Sequence, residues 1–94
     1  MKTASEIRNN LENIKYYINE IQKLVIEQFN TDIKRGDEIG VNVNPGTIRY
    51  DSLAIIHNDC DLFLLYLQNI EANLKNAEAQ DKLLYLDEEY ESIL

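Results

Sequence analysis

The sequence predicts a mainly α fold: an antiparallel hairpin of two long helices, a short β-hairpin inserted between them, and a short third helix at the C-terminus. Three observations predict it. Apolar residues recur every three or four positions over most of residues 4–35 and again over 52–79, the repeat that lays one stripe of an α-helix against a neighbour. The stretch GDEIGVNVNPGTIRYDS between them (36–52) holds all three glycines and the only proline. Ninety-four residues form one domain, 1–94, able to bury a modest core without disulfides or a metal.

Helix 1 is expected over about 4–35. Thr3 and Glu6 have the spacing of a capping box, in which hydroxyl and carboxylate satisfy free backbone N–H groups of the first turn. Ile7, Leu11, Ile14, Ile18, Ile21 and Val25 form a heptad seam that Phe29 and Ile33 continue at plus four. Lys34 and Arg35 suit the negative end of the helix dipole, and Gly36 suits a left-handed C-terminal residue.

The connector over 36–50 reads as a β-hairpin. Ile39, Val41 and Val43 alternate with Gly40 and Asn42, Asn44-Pro45-Gly46-Thr47 has turn chemistry, and Thr47 to Tyr50 is β-prone. Two strands alone are marginal in water, so this ribbon needs support from helix 2 or from outside the chain.

Helix 2 is expected over about 52–79, capped by Asp51 or Ser52. Its seam runs Leu53, Ile56, Cys60, Phe63, Leu67, Ile70, Leu74 and Ala77. Two seams of similar length predict antiparallel packing. Ile55, Leu62, Leu64, Leu65 and Tyr66 fall off the seam and widen the apolar surface beyond what one helix covers. The ribbon, the C-terminal segment, a second copy or a target protein must cover the remainder. Near Ala79 to Asp81 the seam fails, and Leu83, Leu86, Tyr90 and Ile93 or Leu94 start a new stripe, which predicts a bend and a C-terminal helix over about 81–93.

Charge is uneven. The net charge of -8 divides into +1 for residues 1–36 (six Lys/Arg, five Asp/Glu) and -9 for residues 37–94 (three Lys/Arg, twelve Asp/Glu). Such a surface repels phosphate backbones and anionic lipid, which disfavours direct nucleic-acid or membrane binding and favours a protein partner with a basic surface. No apolar stretch approaches the length of a membrane span, MKTASEIRNN lacks the apolar region of an export signal, and a lone Cys60 fits a reducing compartment, so a cytoplasmic location is expected.

No motif for catalysis, cofactor or metal emerges. HNDCD (57–61) places His57 one helical turn from Cys60 and Asp61, but structural zinc needs about four ligands and no second Cys/His group exists. Cys60 reads as a small core residue, and a Cys–His nucleophile lacks an oxyanion loop and a cleft. The Arg35-Gly36-Asp37 tripeptide falls at a helix end and carries no adhesion reading. Tyr16 and Tyr17 cannot both face one seam, which leaves at least one for another contact.

The expected function is therefore a small acidic protein-binding module and not an enzyme. Its leading form is an inhibitor or adaptor that docks on a basic or nucleic-acid-binding partner. Asp87, Glu88, Glu89 and Glu91, with Asp59, Asp61, Glu71 and Glu78, would imitate phosphate spacing while Tyr85 and Tyr90 supply packing. In being small, acidic and free of motifs the chain resembles phage anti-defence proteins of the anti-CRISPR type, a likeness carried by no specific residue. One alternative is a self-assembling, homo-oligomeric helical scaffold with a small polar or nucleotide ligand at Asn42, Asn44, Thr47, Arg49 and Tyr50. The other rests on Tyr85 and Glu89, which resemble the Y-x-x-x-D/E tail of WXG100-type secretion partners, themselves helical hairpins. The Trp-x-Gly turn of that family is absent, since the chain has no tryptophan.

Overall fold

A computed structural model describes residues 1–84. Helix α1 spans Ala4–Ile39 and helix α2 spans Ile48–Ala79, followed by a single turn, α3, at Asp81–Leu84. The long helices pack antiparallel: Arg8 pairs with Glu78 near one end, and Arg49 pairs with Asp32 near the other. At 1.5 Å per residue α1 is about 54 Å long.

The expected β-hairpin is absent, and no strand occurs among the described residues. α1 runs through Gly36 and ends four residues later than expected, at Gly40, whose φ of 75° is left-handed. Both Gly40 and Val41 donate their N–H to the Gly36 carbonyl, the latter at 2.8 Å, which closes the last turn in a Schellman arrangement. Gly36 is thus needed for close approach and not for a left-handed backbone. A Cβ there would sit 2.4 Å from the Val41 carbonyl oxygen and 2.9 Å from Val43 Cγ2. Lys34 and Arg35 accordingly lie inside the helix, with Arg35 reaching Glu38 at 3.3 Å.

The Asn44–Thr47 turn forms as its residues predict, with Thr47 N–H donating to the Asn44 carbonyl at 3.1 Å and Gly46 at φ 102°. Strands do not flank it. Ile48, Arg49 and Tyr50 enter the first turn of α2 instead, because the helical course gives Tyr50 the ring of Phe29 (centroids 4.7 Å apart) and Arg49 the carboxylate of Asp32. These tertiary contacts outweigh a weak β preference. Neither Asp51 nor Ser52 caps α2. Thr47 holds that position with extended backbone, and Asp51 Oδ1 reaches back to accept the Gly46 N–H at 3.0 Å. The capping box at α1 does not close either: Thr3 makes no side-chain cap bond. Of the expected third helix only Asp81–Leu84 is helical here, and its remainder lies outside the described residues.

Leu11 and Val25 of the α1 seam, and Cys60, Leu67 and Leu74 of the α2 seam, are buried, with Ala4 joining them and Ile7 and Leu64 packed alongside. The alternate seam positions differ from expectation. Ile14, Ile21, Ile56, Phe63 and Ile70 do not face the other helix; the next residue along does, bringing Lys15, Gln22, His57, Leu64 and Glu71 inward. The contact line is therefore polar in part. Lys15 Nζ lies 3.9 Å from Glu71, and Gln22 Nε2 donates to Asp61 Oδ1 at 2.6 Å and to the His57 carbonyl at 3.3 Å.

Candidate interaction surface

One residue along a helix is about 100° of rotation, and half the contact positions have moved by one residue, so each apolar stripe is turned about 50° away from the line between the helices. The helices are antiparallel, and a stripe displaced toward lower residue numbers turns toward the same side of the pair on both. Ile14, Tyr17, Ile21 and Leu24 of α1 thereby share one face with Ile56, Phe63, Tyr66 and Ile70 of α2. All eight are between 41% and 65% exposed, too open for core residues. The opposite face carries Glu12, Asn19, Asp61, Gln68 and Lys75 beside Ile26. Asp59 is the one charged side chain set among the α2 residues of the apolar face. The result is a continuous exposed apolar face on a chain otherwise rich in charge, a candidate contact surface.

The loop residues expected to meet a small ligand do not converge on one cavity. Arg49 is already paired: Nη2 donates to Asp32 Oδ1 at 3.1 Å and Nε donates to Oδ2. Gln28 Nε2 adds a bond to Asp32 Oδ1 at 2.7 Å. Hydrogen bonds from Arg49 and Gln28 hold the Asp32 carboxyl below its ordinary range, and the same pairing raises Arg49. Arg49 lines an open depression with Asp32, Arg35, Gly36, Ile39, Val41 and Val43, whereas Asn42, Asn44, Thr47 and Tyr50 lie outside it. Asn44 and Thr47 build the turn, the Thr47 hydroxyl donating to the Asn44 carbonyl at 3.0 Å, and Tyr50 packs on Phe29.

Tyr85, Asp87, Glu88, Glu89, Tyr90 and Glu91 lie outside the described residues. Of the four helix carboxylates expected to join them, Glu78 and Glu71 are paired with Arg8 and Lys15, and Asp61 accepts from Gln22. Only Asp59 points outward without such a tie. Three of the four thus face groups of α1 across the helix contact.

His57 and Asp61 approach to 3.9 Å, and Cys60 is buried beside them in the helix contact. Burial, reinforced by Asp59 and Asp61, pushes the Cys60 thiol up, so it stays protonated and unreactive. Among the described residues no group of three His, Cys, Asp or Glu side chains is placed to hold a metal ion. No helix among them is long and apolar enough to cross a membrane. Tyr16 and Tyr17 meet edge to face at 5.5 Å, both largely exposed, with Tyr17 on the apolar face.

No family model, curated protein or solved structure matches this chain.

The sequence contained the signal for this face. Ile56, Phe63 and Ile70 sit on a heptad spacing that fits either a two-helix seam or a stripe aimed elsewhere. What separates the two readings is the residue after each: His57, Leu64 and Glu71, with Lys15 and Gln22 opposite, are long enough to bridge between helices at their own level.

Proposed function

We propose that this chain is a small acidic protein-binding module that works by association and not by catalysis. The apolar face of Ile14, Tyr17, Ile21, Leu24, Ile56, Phe63, Tyr66 and Ile70 carries this reading. Leaving it in water forfeits the remaining burial of eight large side chains, each about half exposed, so roughly half of the 1.5–3 kcal/mol that full burial of such a side chain is worth. A docked helical surface recovers that burial. In the inhibitor or adaptor form of this role, the acidic second half of the chain draws a basic partner and the face supplies the contact.

The test compares the native chain with Phe63→Glu, a charge in the middle of the face. The mass of the purified protein is followed by light scattering, alone and after incubation with a soluble lysate of the cells that express it. Association through the face gives a particle heavier than 11.0 kDa that Phe63→Glu reduces. A folded native chain that stays at 11.0 kDa under both conditions refutes the role.

A further inference from the structure

Resting on that reading of the face as a docking surface, we infer that its occupant is a second copy of this chain, two hairpins closing an antiparallel four-helix bundle. Three observations select this occupant. The first is direction. Each apolar stripe is turned about 50° from the line to its neighbour, and the centre of a four-helix bundle lies about 45° from that line, against about 30° in a three-helix bundle.

The second is level. Because Lys15 faces Glu71, Ile14 and Ile70 each lie one residue from that level in opposite directions, about 3 Å apart along the axis, and Ile21 and Phe63 repeat the same offset one heptad on. A two-fold axis within the face and parallel to the helices sets α1 of one copy antiparallel to α2 of the other without changing these levels. Each row therefore meets the other copy's at the small stagger it already has within one hairpin, and the contact is isologous.

The third is area. At roughly 200 Å² per large apolar residue, the exposed fractions of the eight side chains amount to about 800 Å² per copy, what each partner contributes to a standard stable interface. The hairpin alone has only Ala4, Leu11, Val25, Cys60, Leu67 and Leu74 as buried apolar residues among those described, and none is less than 2% exposed. So small a core does not offset the ordering of two helices this long. The complement has to be present whenever the chain folds, and a second copy always is. Closing the bundle this way sends Glu12, Asp61 and Lys75 outward and leaves the charge-poor face inside.

Sedimentation equilibrium on the full chain, from low to high micromolar concentration, tests this. The native protein is expected at twice 11.0 kDa, with a melting temperature that rises with concentration. Ile21→Glu and Phe63→Glu should weaken the dimer by about 100-fold or more, whereas Leu62→Glu, on an exposed position off the face, should leave it intact. If a face variant fails to fold, the concentration dependence of native melting decides alone. A folded native monomer with concentration-independent melting, a mass other than the dimer, or a dimer indifferent to both face substitutions overturns the inference. A native monomer that takes up another protein, and loses it on Phe63→Glu, leaves the docking role standing with a different occupant; one that takes up nothing removes both.

Discussion

Gly36→Ala is a sharp test of how α1 ends. At an ordinary interior helix position alanine is favoured over glycine by about 1 kcal/mol. Gly36 is interior, three residues before the last of α1, so propensity alone predicts a more stable protein. The structure reverses the sign. An alanine methyl would stand 2.4 Å from the Val41 carbonyl oxygen, a backbone atom with no rotamer to escape through, and 2.9 Å from Val43 Cγ2. Relief requires the 41–43 segment to lift away, which sacrifices the 2.8 Å bond from Val41 N–H to Gly36, worth about 1 kcal/mol, and adds overpacking strain of about 1–3 kcal/mol. Set against the propensity gain, the net effect is a loss of about 1–3 kcal/mol, at roughly 4–8 °C in Tm per kcal/mol for a domain of this size. Thermal melts followed by far-ultraviolet circular dichroism, at one fixed protein concentration, measure it. Asn19→Ala, on an exposed helical position, serves as the control for propensity. A Gly36→Ala protein that melts at or above the native temperature would refute the close-approach account of the α1 terminus.

Truncating Leu67, the most deeply buried apolar residue among those described at 4% exposure, to alanine should cost about 2–5 kcal/mol, measured by urea denaturation. Asp32 has its pKa lowered in the folded state, so its pairing with Arg49 stabilises the fold above the ordinary carboxylate value of about 3.9 and is lost as pH falls through the lowered value. Stability measured against pH should therefore drop on that acid limb in the native protein and drop less in Arg49→Ala; equal slopes would deny the pair any role. Cys60 should resist iodoacetamide in the native protein and react once urea unfolds it, as followed by mass spectrometry, because its thiol is buried with a raised pKa. Native labelling as fast as in urea would place it outside the helix contact. Arg8→Ala, removing a partly exposed ion pair with Glu78, should cost at most about 1 kcal/mol in the same urea assay.

The two helices and their antiparallel pairing were legible because a 3.6-residue repeat survives any uncertainty about partners: Leu11, Val25, Cys60, Leu67 and Leu74 are buried as their spacing predicts. Boundaries were less legible. The sequence points to Gly36 as the terminator of α1, and what carries the end on to Gly40 is the packing of Val41 and Val43 over Gly36, a contact that appears only once the chain has turned. The β reading of Thr47 to Tyr50 failed for a related reason. Phe29 and Asp32, about one and a half dozen residues earlier, supply the partners that draw Tyr50 and Arg49 into a helix. The exposed apolar face was half visible: the surplus of apolar residues on α2 was plain, but the direction each stripe points depends on Lys15, Gln22, His57 and Glu71 occupying the contact line, which apolar periodicity cannot register.

Those polar crossbars, Arg8 to Glu78, Lys15 to Glu71 and Gln22 to Asp61, also work as a key for alignment. Sliding α2 by one heptad along α1 would still offer greasy positions to greasy positions, yet one direction sets Lys15 against Leu64 as Arg8 meets Glu71, and the other gives Lys15 to Glu78 and carries Arg8 past it, so either slip keeps only one of the two ion pairs. Hydrophobic packing alone tolerates such a slip; the crossbars oppose it. An outer surface assembled from two separate helices stays in step only because its struts are cut to fit one setting.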